Sequence, residues 1–104
     1  MNIRGLSVSR SVFVDGKYLN PGPSQAIRNH SPDGFNWGYS GSGPAQLALA
    51  LCLYGSEKYN ILQIKVLPWY QTFKSEIVAG LPKGDFEITI DFMEWLRSHS
   101  TEVI

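Results

Sequence analysis

The sequence predicts an α+β domain, an antiparallel sheet of about four strands with about three helices packed on one face. Two turn signals, Asp15-Gly16 and Ser31-Pro32-Asp33-Gly34, punctuate an N-terminal half rich in β-branched and aromatic residues. A nearly unbroken apolar run, residues 44–54, has the composition of an enclosed helix. Helical periodicity then returns in residues 69–79 and 91–98. At 104 residues the chain is expected to form a single domain, 1–104, with one core and no second cleft-forming domain.

Taken in order, residues 8–14 read as a strand, and Asp15-Gly16 suits a two-residue hairpin that folds residues 17–19 back on it. Pro21-Gly22-Pro23 breaks that pattern. In the second turn proline fits the first corner and Gly34 the end of a type I turn, so residues 27–30 are expected to pair with 35–39. Within 35–39, Phe35, Trp37 and Tyr39 alternate with Asn36 and Gly38, which places three rings on one sheet face. The 44–54 helix carries Gln46 as its internal polar side chain and is expected at the centre, with Pro44 at the first helical position and Gly43 as N-cap. In 69–79, Tyr70, Phe73, Ile77 and Val78 follow a buried stripe into which Lys74 falls. Asp91 or Thr89 can cap the last helix, with Glu94 placed to complete a capping box with Asp91. Residues 59–67 fit helical and strand spacing alike and are expected to be helical or irregular.

Nine basic and nine acidic residues give zero net charge. A duplex-binding module needs clustered lysines and arginines to neutralise phosphates, so duplex nucleic acid is not an expected partner. The single cysteine, Cys52, lies in the apolar run, which excludes an intrachain disulfide and suits a reducing cytoplasm. No leader pattern opens the chain and no apolar stretch nears the roughly 20 residues of a membrane span. The expectation is a soluble cytoplasmic protein without a membrane partner. With no paired histidines or Cys-x-x-Cys spacing, and His30 with Asp33 a poor ligand set, neither a metal nor another cofactor is expected.

The chemistry concentrates where a glycine-serine loop meets the apolar helix. A helix start leaves backbone N–H groups unpaired and carries partial positive charge, which attracts phosphate or carboxylate. A glycine N-cap has no oxygen to offer, so the N–H groups of Ala45 and Gln46 are expected to be met by Ser40, Ser42, water or an anion. The candidate ligand-binding set is His30, Ser31, Trp37, Tyr39, Ser40, Gly41, Ser42, Gly43, Ala45, Gln46 and Lys74. Trp37 and Tyr39 can stack on a base, and Lys74 can aim an ammonium group into the same pocket. Each also has a plainer role: the rings can pack, His30 can bond the backbone, and Lys74 can snorkel to water. GYSGSG is a nucleophile elbow only with a base and an acid, and GSG lacks the lysine of a P-loop. No catalytic residue is assigned.

The segments HSPDGFNWGYSGSGPAQLALAL and YQTFKSEIVAGLP, with a terminal tryptophan-containing helix, resemble an uncharacterised family of short bacterial and bacteriophage proteins. The resemblance spans residues 12–96 and maps onto His30, Ser31, Pro32, Gly34, Phe35, Trp37, Gly38 and Tyr39, then residues 41–51, then Tyr70, Gln71, Phe73 and Lys74. Residues 59–69 depart from it through extra apolar side chains. It implies a shared fold and site and supplies no established activity. Together these features suggest a small non-enzymatic binding protein for a nucleotide-like or other phosphorylated ligand, such as a phage protein that sequesters a host immune nucleotide signal in the bacterial cytoplasm. The alternatives are a protein-interaction module or inhibitor of a host enzyme, and then a small hydrolase using His30. An exposed aromatic face would also favour a homo-oligomer.

Overall fold

Asp15 and Gly16 adopt φ of 51° and 79°, the left-handed pair of a type I′ turn, and join β2 (Ser11–Val14) to β3 (Lys17–Tyr18). The computed structural model describes residues 1–100. The Asp15 carboxylate accepts hydrogen bonds from Asn2 N–H at 2.9 Å, Tyr54 Oη at 2.8 Å and Lys58 Nζ at 2.6 Å. Those donors, Lys58 foremost, hold its carboxyl far below the usual carboxylate range. β1 (Asn2–Leu6) and β4 (Phe86–Thr89), neither of which was expected as a strand, complete an antiparallel sheet of order β3-β2-β1-β4.

Ile3 pairs with Val14 and Ile88, and Gly5 with Val12 and Phe86, which sets these residues on one face. Ile3, Val12, Val14 and Phe86 are buried there in a core shared with the helices. The other face carries Arg4 over the Phe13 ring at 5.2 Å and the Phe13–Tyr18 ring pair. Only the end of the 8–14 run is strand; Val8 is fully exposed in the turn before β2.

The second hairpin does not form. Its turn does, with Gly34 N–H donating to Ser31 O at 3.1 Å and Gly34 at φ 103°. Yet Ile27 ends a helix and residues 35–39 make no ladder. Their alternation has another cause: Phe35 and Trp37 plug into the core, Trp37 Nε1–H donating to Gly84 O at 2.9 Å, while Tyr39 stays exposed. Gly38 turns the chain at φ 82° and gives its N–H to Val78 O at 3.1 Å. Pro21-Gly22-Pro23 breaks the strand pattern as expected and also opens α1 (Gly22–Ile27), because prolines in a first turn lose no intrahelical bond.

α2 (Ser42–Lys58) is the central helix, buried without interruption from Gly43 to Cys52. Each enclosed leucine contributes about 1.5–3 kcal/mol, and burial pushes the Cys52 thiol pKa well up. α2 starts earlier than expected, capped by Gly41 and not Gly43. α3 (Gln63–Val66), a 3₁₀ turn (Leu67–Trp69), α4 (Tyr70–Phe73) and a π turn (Lys74–Val78) follow end to end, so the ambiguous 59–67 stretch becomes helical in its second half. α5 (Phe92–His99) is capped by Asp91, whose Oδ1 accepts from Glu94 N–H at 3.0 Å. Phe92 and Trp95 pack on Phe73, with ring centroids 6.0 and 5.0 Å apart. Among the described residues no helix is long and apolar enough to cross a membrane.

Candidate functional site

Gln46 organises the loop before α2. It is fully buried, and its side-chain amide uses both ends: Oε1 accepts from His30 N–H at 2.7 Å and Ser31 N–H at 3.0 Å, and Nε2 donates to Ser24 Oγ at 2.9 Å and Arg28 O at 3.1 Å. As the one polar side chain between Pro44 and Leu53, Gln46 thereby pairs backbone groups of the irregular 28–31 segment. Its role is to hold the loop, and it presents no free amide to a ligand.

At the start of α2 the unpaired donors differ from those expected. Ala45 N–H bonds Gly41 O at 3.0 Å, and Pro44 has no N–H. With Gly41 as N-cap and no side chain capping the helix, the first-turn amides of Ser42 and Gly43 are the ones left for water or an anion. Gly43 is required there for a steric reason: a Cβ would lie 2.5 Å from Asn36 Cβ and 3.1 Å from Asn36 N. A bulkier residue would push α2 away from the 35–37 segment.

This helix start opens into a cleft of about 550 Å³, lined by Arg10, Ser31, Asp33, Asn36, Tyr39, Gly41, Ser42 and Gly43 among others. Arg10 sits at φ 60°, and its guanidinium donates to Asn36 Oδ1. Asn36 Nδ2 in turn donates to Tyr39 Oη at 3.3 Å, so one asparagine links the cation to the aromatic ring. The Tyr39 ring lies against Gly41, where a Cβ would come within 2.6 Å of it. Asp33 adds a carboxylate to the rim opposite in charge to Arg10. The cleft thus offers amide donors, a guanidinium, a hydroxyl-bearing ring and one acceptor carboxylate.

The expected set divides in two. Ser31, Tyr39, Gly41, Ser42 and Gly43 share the cleft. Trp37, Ala45 and Gln46 are buried, and Ser40 is exposed outside the lining. Lys74, expected to aim at the same pocket, does not line the cleft. It follows Tyr70 by four residues in the helical run, and the Tyr70 Oη lies 2.7 Å from His30 Nε2. Burial, then the Arg28 and Lys74 charges, holds the His30 pKa below its ordinary value. The imidazole thus faces a tyrosine hydroxyl, with no serine or carboxylate bonded to it among the described residues.

Arg10 and Asn36 were missed because the turn that presents Arg10 precedes β2, and with β1 unread nothing placed that turn beside α2. Tyr70 carried a signal, four residues before Lys74 in a helical stretch, but it was read as packing only. No curated protein and no solved structure matches the chain. A family model does match it over residues 3–98, nearly its whole length, and the chain belongs to that family of unknown function, DUF6166.

Proposed function

We propose that this protein binds a phosphorylated, nucleotide-like ligand in the cleft at the start of α2 without turning it over. The observation that carries this reading is the cleft's donor set: the Ser42 and Gly43 amides at a helix N-terminus beside the Arg10 guanidinium. Such a set suits a phosphate, since helix dipole, amides and a planar cation act on one group. Tyr39 is exposed and supplies a face for a base, and Asp33 can accept from ribose hydroxyls or a base amino group. The pairing of His30 with Tyr70, not with a nucleophile, favours retention over hydrolysis. The resemblance to short bacteriophage proteins supplies a setting, the sequestration of a host nucleotide signal in the cytoplasm.

A second reading is a protein-interaction surface. The aromatic face expected for it is mostly core, but another groove of about 580 Å³ runs between α1 and α2, with Leu19, Pro23, Leu53 and Ile61 in its lining. Ile27 lines it as well and is 47% exposed; Leu62 and Ile64 nearby are 68% and 77% exposed. Apolar side chains exposed together mark contact surfaces more often than isolated ones do.

One experiment separates the two. A thermal-shift screen of the intact chain against linear and cyclic nucleotides should find a stabilising ligand, and at a hundred times its Kd the gain is about 2.7 kcal/mol. Arg10→Ala and Tyr39→Ala should lose that gain and keep the unliganded Tm. No shift with any nucleotide, together with concentration-dependent sedimentation, would replace the ligand reading with the interaction surface.

A further inference from the structure

We propose that Arg28, His30, Tyr70 and Lys74 form a second anion site, distinct from the α2 cleft, that takes a phosphate group. The inference stands independently of the cleft. It begins with Gln46, which ties Arg28 O, His30 N–H and Ser31 N–H to one fully buried side chain and so fixes the backbone that carries Arg28 and His30. On the facing helical run, Tyr70 and Lys74 are four residues apart, close neighbours on a helix surface. The Tyr70 hydroxyl reaches His30 Nε2 at 2.7 Å, and the two rings lie 5.7 Å apart. The loop and the helix thus meet at the imidazole.

What surrounds that contact is one-sided in charge. Arg28 stands two residues before His30 on extended backbone and Lys74 four residues beyond Tyr70, so both flank the His30–Tyr70 contact. Their charges bear on the imidazole, while among the described residues no carboxylate is bonded to it. Among the described residues neither cationic side chain has a hydrogen-bond or ion-pair partner. Two cations beside a partly buried imidazole repel each other's charge and disfavour a third, unless an anion sits between them. A phosphate dianion answers each group: it accepts from guanidinium, ammonium and hydroxyl, and its charge lets the imidazole take a proton and become a further charged donor. Glu76, the acid nearest along the helix, is engaged with Trp95 and His99 and does not supply that counter-charge.

The test titrates inorganic phosphate into the intact chain while imidazole NMR signals are followed, with chloride at matched ionic strength as the control. Phosphate should shift His30 saturably and raise its pKa, with His99 unmoved. Lys74→Ala should weaken phosphate roughly tenfold or more, the worth of a charge-assisted hydrogen bond, and Lys74→Gln, which keeps the chain length, should do the same if the alanine variant folds poorly. Arg10→Ala should leave the His30 response intact, which separates this site from the cleft. A response to phosphate equal to that to chloride, equal affinity in wild type and the Lys74 variants, or loss of the His30 response in Arg10→Ala would each overturn the second site.

Discussion

The two histidines of this protein sit in opposite surroundings. His99 closes α5: its Nδ1 lies 2.7 Å from Trp95 O and its Nε2 2.9 Å from Glu76 Oε1. Both nitrogens face acceptors, which only the doubly protonated ring can satisfy, and the Trp95 carbonyl followed by Glu76 raises its pKa. Trp95 and Trp69 pack on the ring, at centroid distances of 4.3 and 5.9 Å. His30 has cations where His99 has a carboxylate, and its pKa is held down by burial, Arg28 and Lys74. One histidine has its charge answered inside the fold and fastens a helix; the other stands beside cations that the fold leaves unanswered. His30 bonds the Tyr70 hydroxyl, while Arg28 and Lys74 make no side-chain bond among the described residues, and the proposed phosphate would answer their charge.

The largest expected effect comes from removing the support of His30 alone. Gln46→Leu keeps the packing volume but leaves His30 N–H, Ser31 N–H and Arg28 O without their main partner. Unpaired buried groups cost roughly 1–3 kcal/mol each, partly relieved by water at this half-buried loop, so the net loss should be about 2–4 kcal/mol by urea unfolding. His30 should broaden or shift by NMR while His99 does not. A loss under about 1 kcal/mol would mean the loop holds its shape without Gln46.

A smaller effect should appear as opposite pH slopes. A raised folded pKa stabilises fully below the unfolded value, near 6.5, and that stability is lost as pH rises through the folded pKa, so His99 should lower Tm above about pH 6.5. A lowered folded pKa works in reverse, so stability from His30 is present above about pH 6.5 and is lost as pH falls. Near neutrality the two oppose each other. His99→Gln should therefore leave a Tm that rises with pH, and His30→Gln one that falls. Parallel Tm-against-pH curves for the two variants would erase the contrast between the sites.

The sequence announced the parts whose signal is local. Asp15-Gly16 gave its turn because those residues tolerate φ above zero, and α2 was visible because no other run is apolar on every side. β1 and β4 were not visible, since strands of five and four residues hold too few alternations to stand out, and their burial depends on pairing 80 or more positions apart. The 35–39 alternation misled because two rings plugging a core imitate a strand's period without its ladder. Pro44 misplaced the α2 cap: it sits in the third helical position, a first-turn site as free of bonding cost as the first. The glycine loop was legible as a helix start without a side-chain cap, whereas the placement of Arg10 beside it depended on tertiary contact. Lys74 stood out in the sequence as a charge within an apolar stripe, and the structure leaves it outside the cleft lining.

The smallest expected effect separates burial from charge at His30. Burial alone lowers a histidine pKa, and so do nearby cations, but only the second cause vanishes when a cation is replaced by an isostere. Lys74→Met keeps a long apolar stem over the helix and removes the charge. The His30 pKa should then rise toward its ordinary value, further still when Arg28→Met is added, in the absence of any added anion. His99, fastened to Glu76 and the Trp95 carbonyl, should titrate unchanged in both variants. Imidazole NMR of wild type and the two variants measures this directly. An unmoved His30 would mean that its surroundings are merely dry and not positive, and the two histidines would then differ in packing without differing in charge.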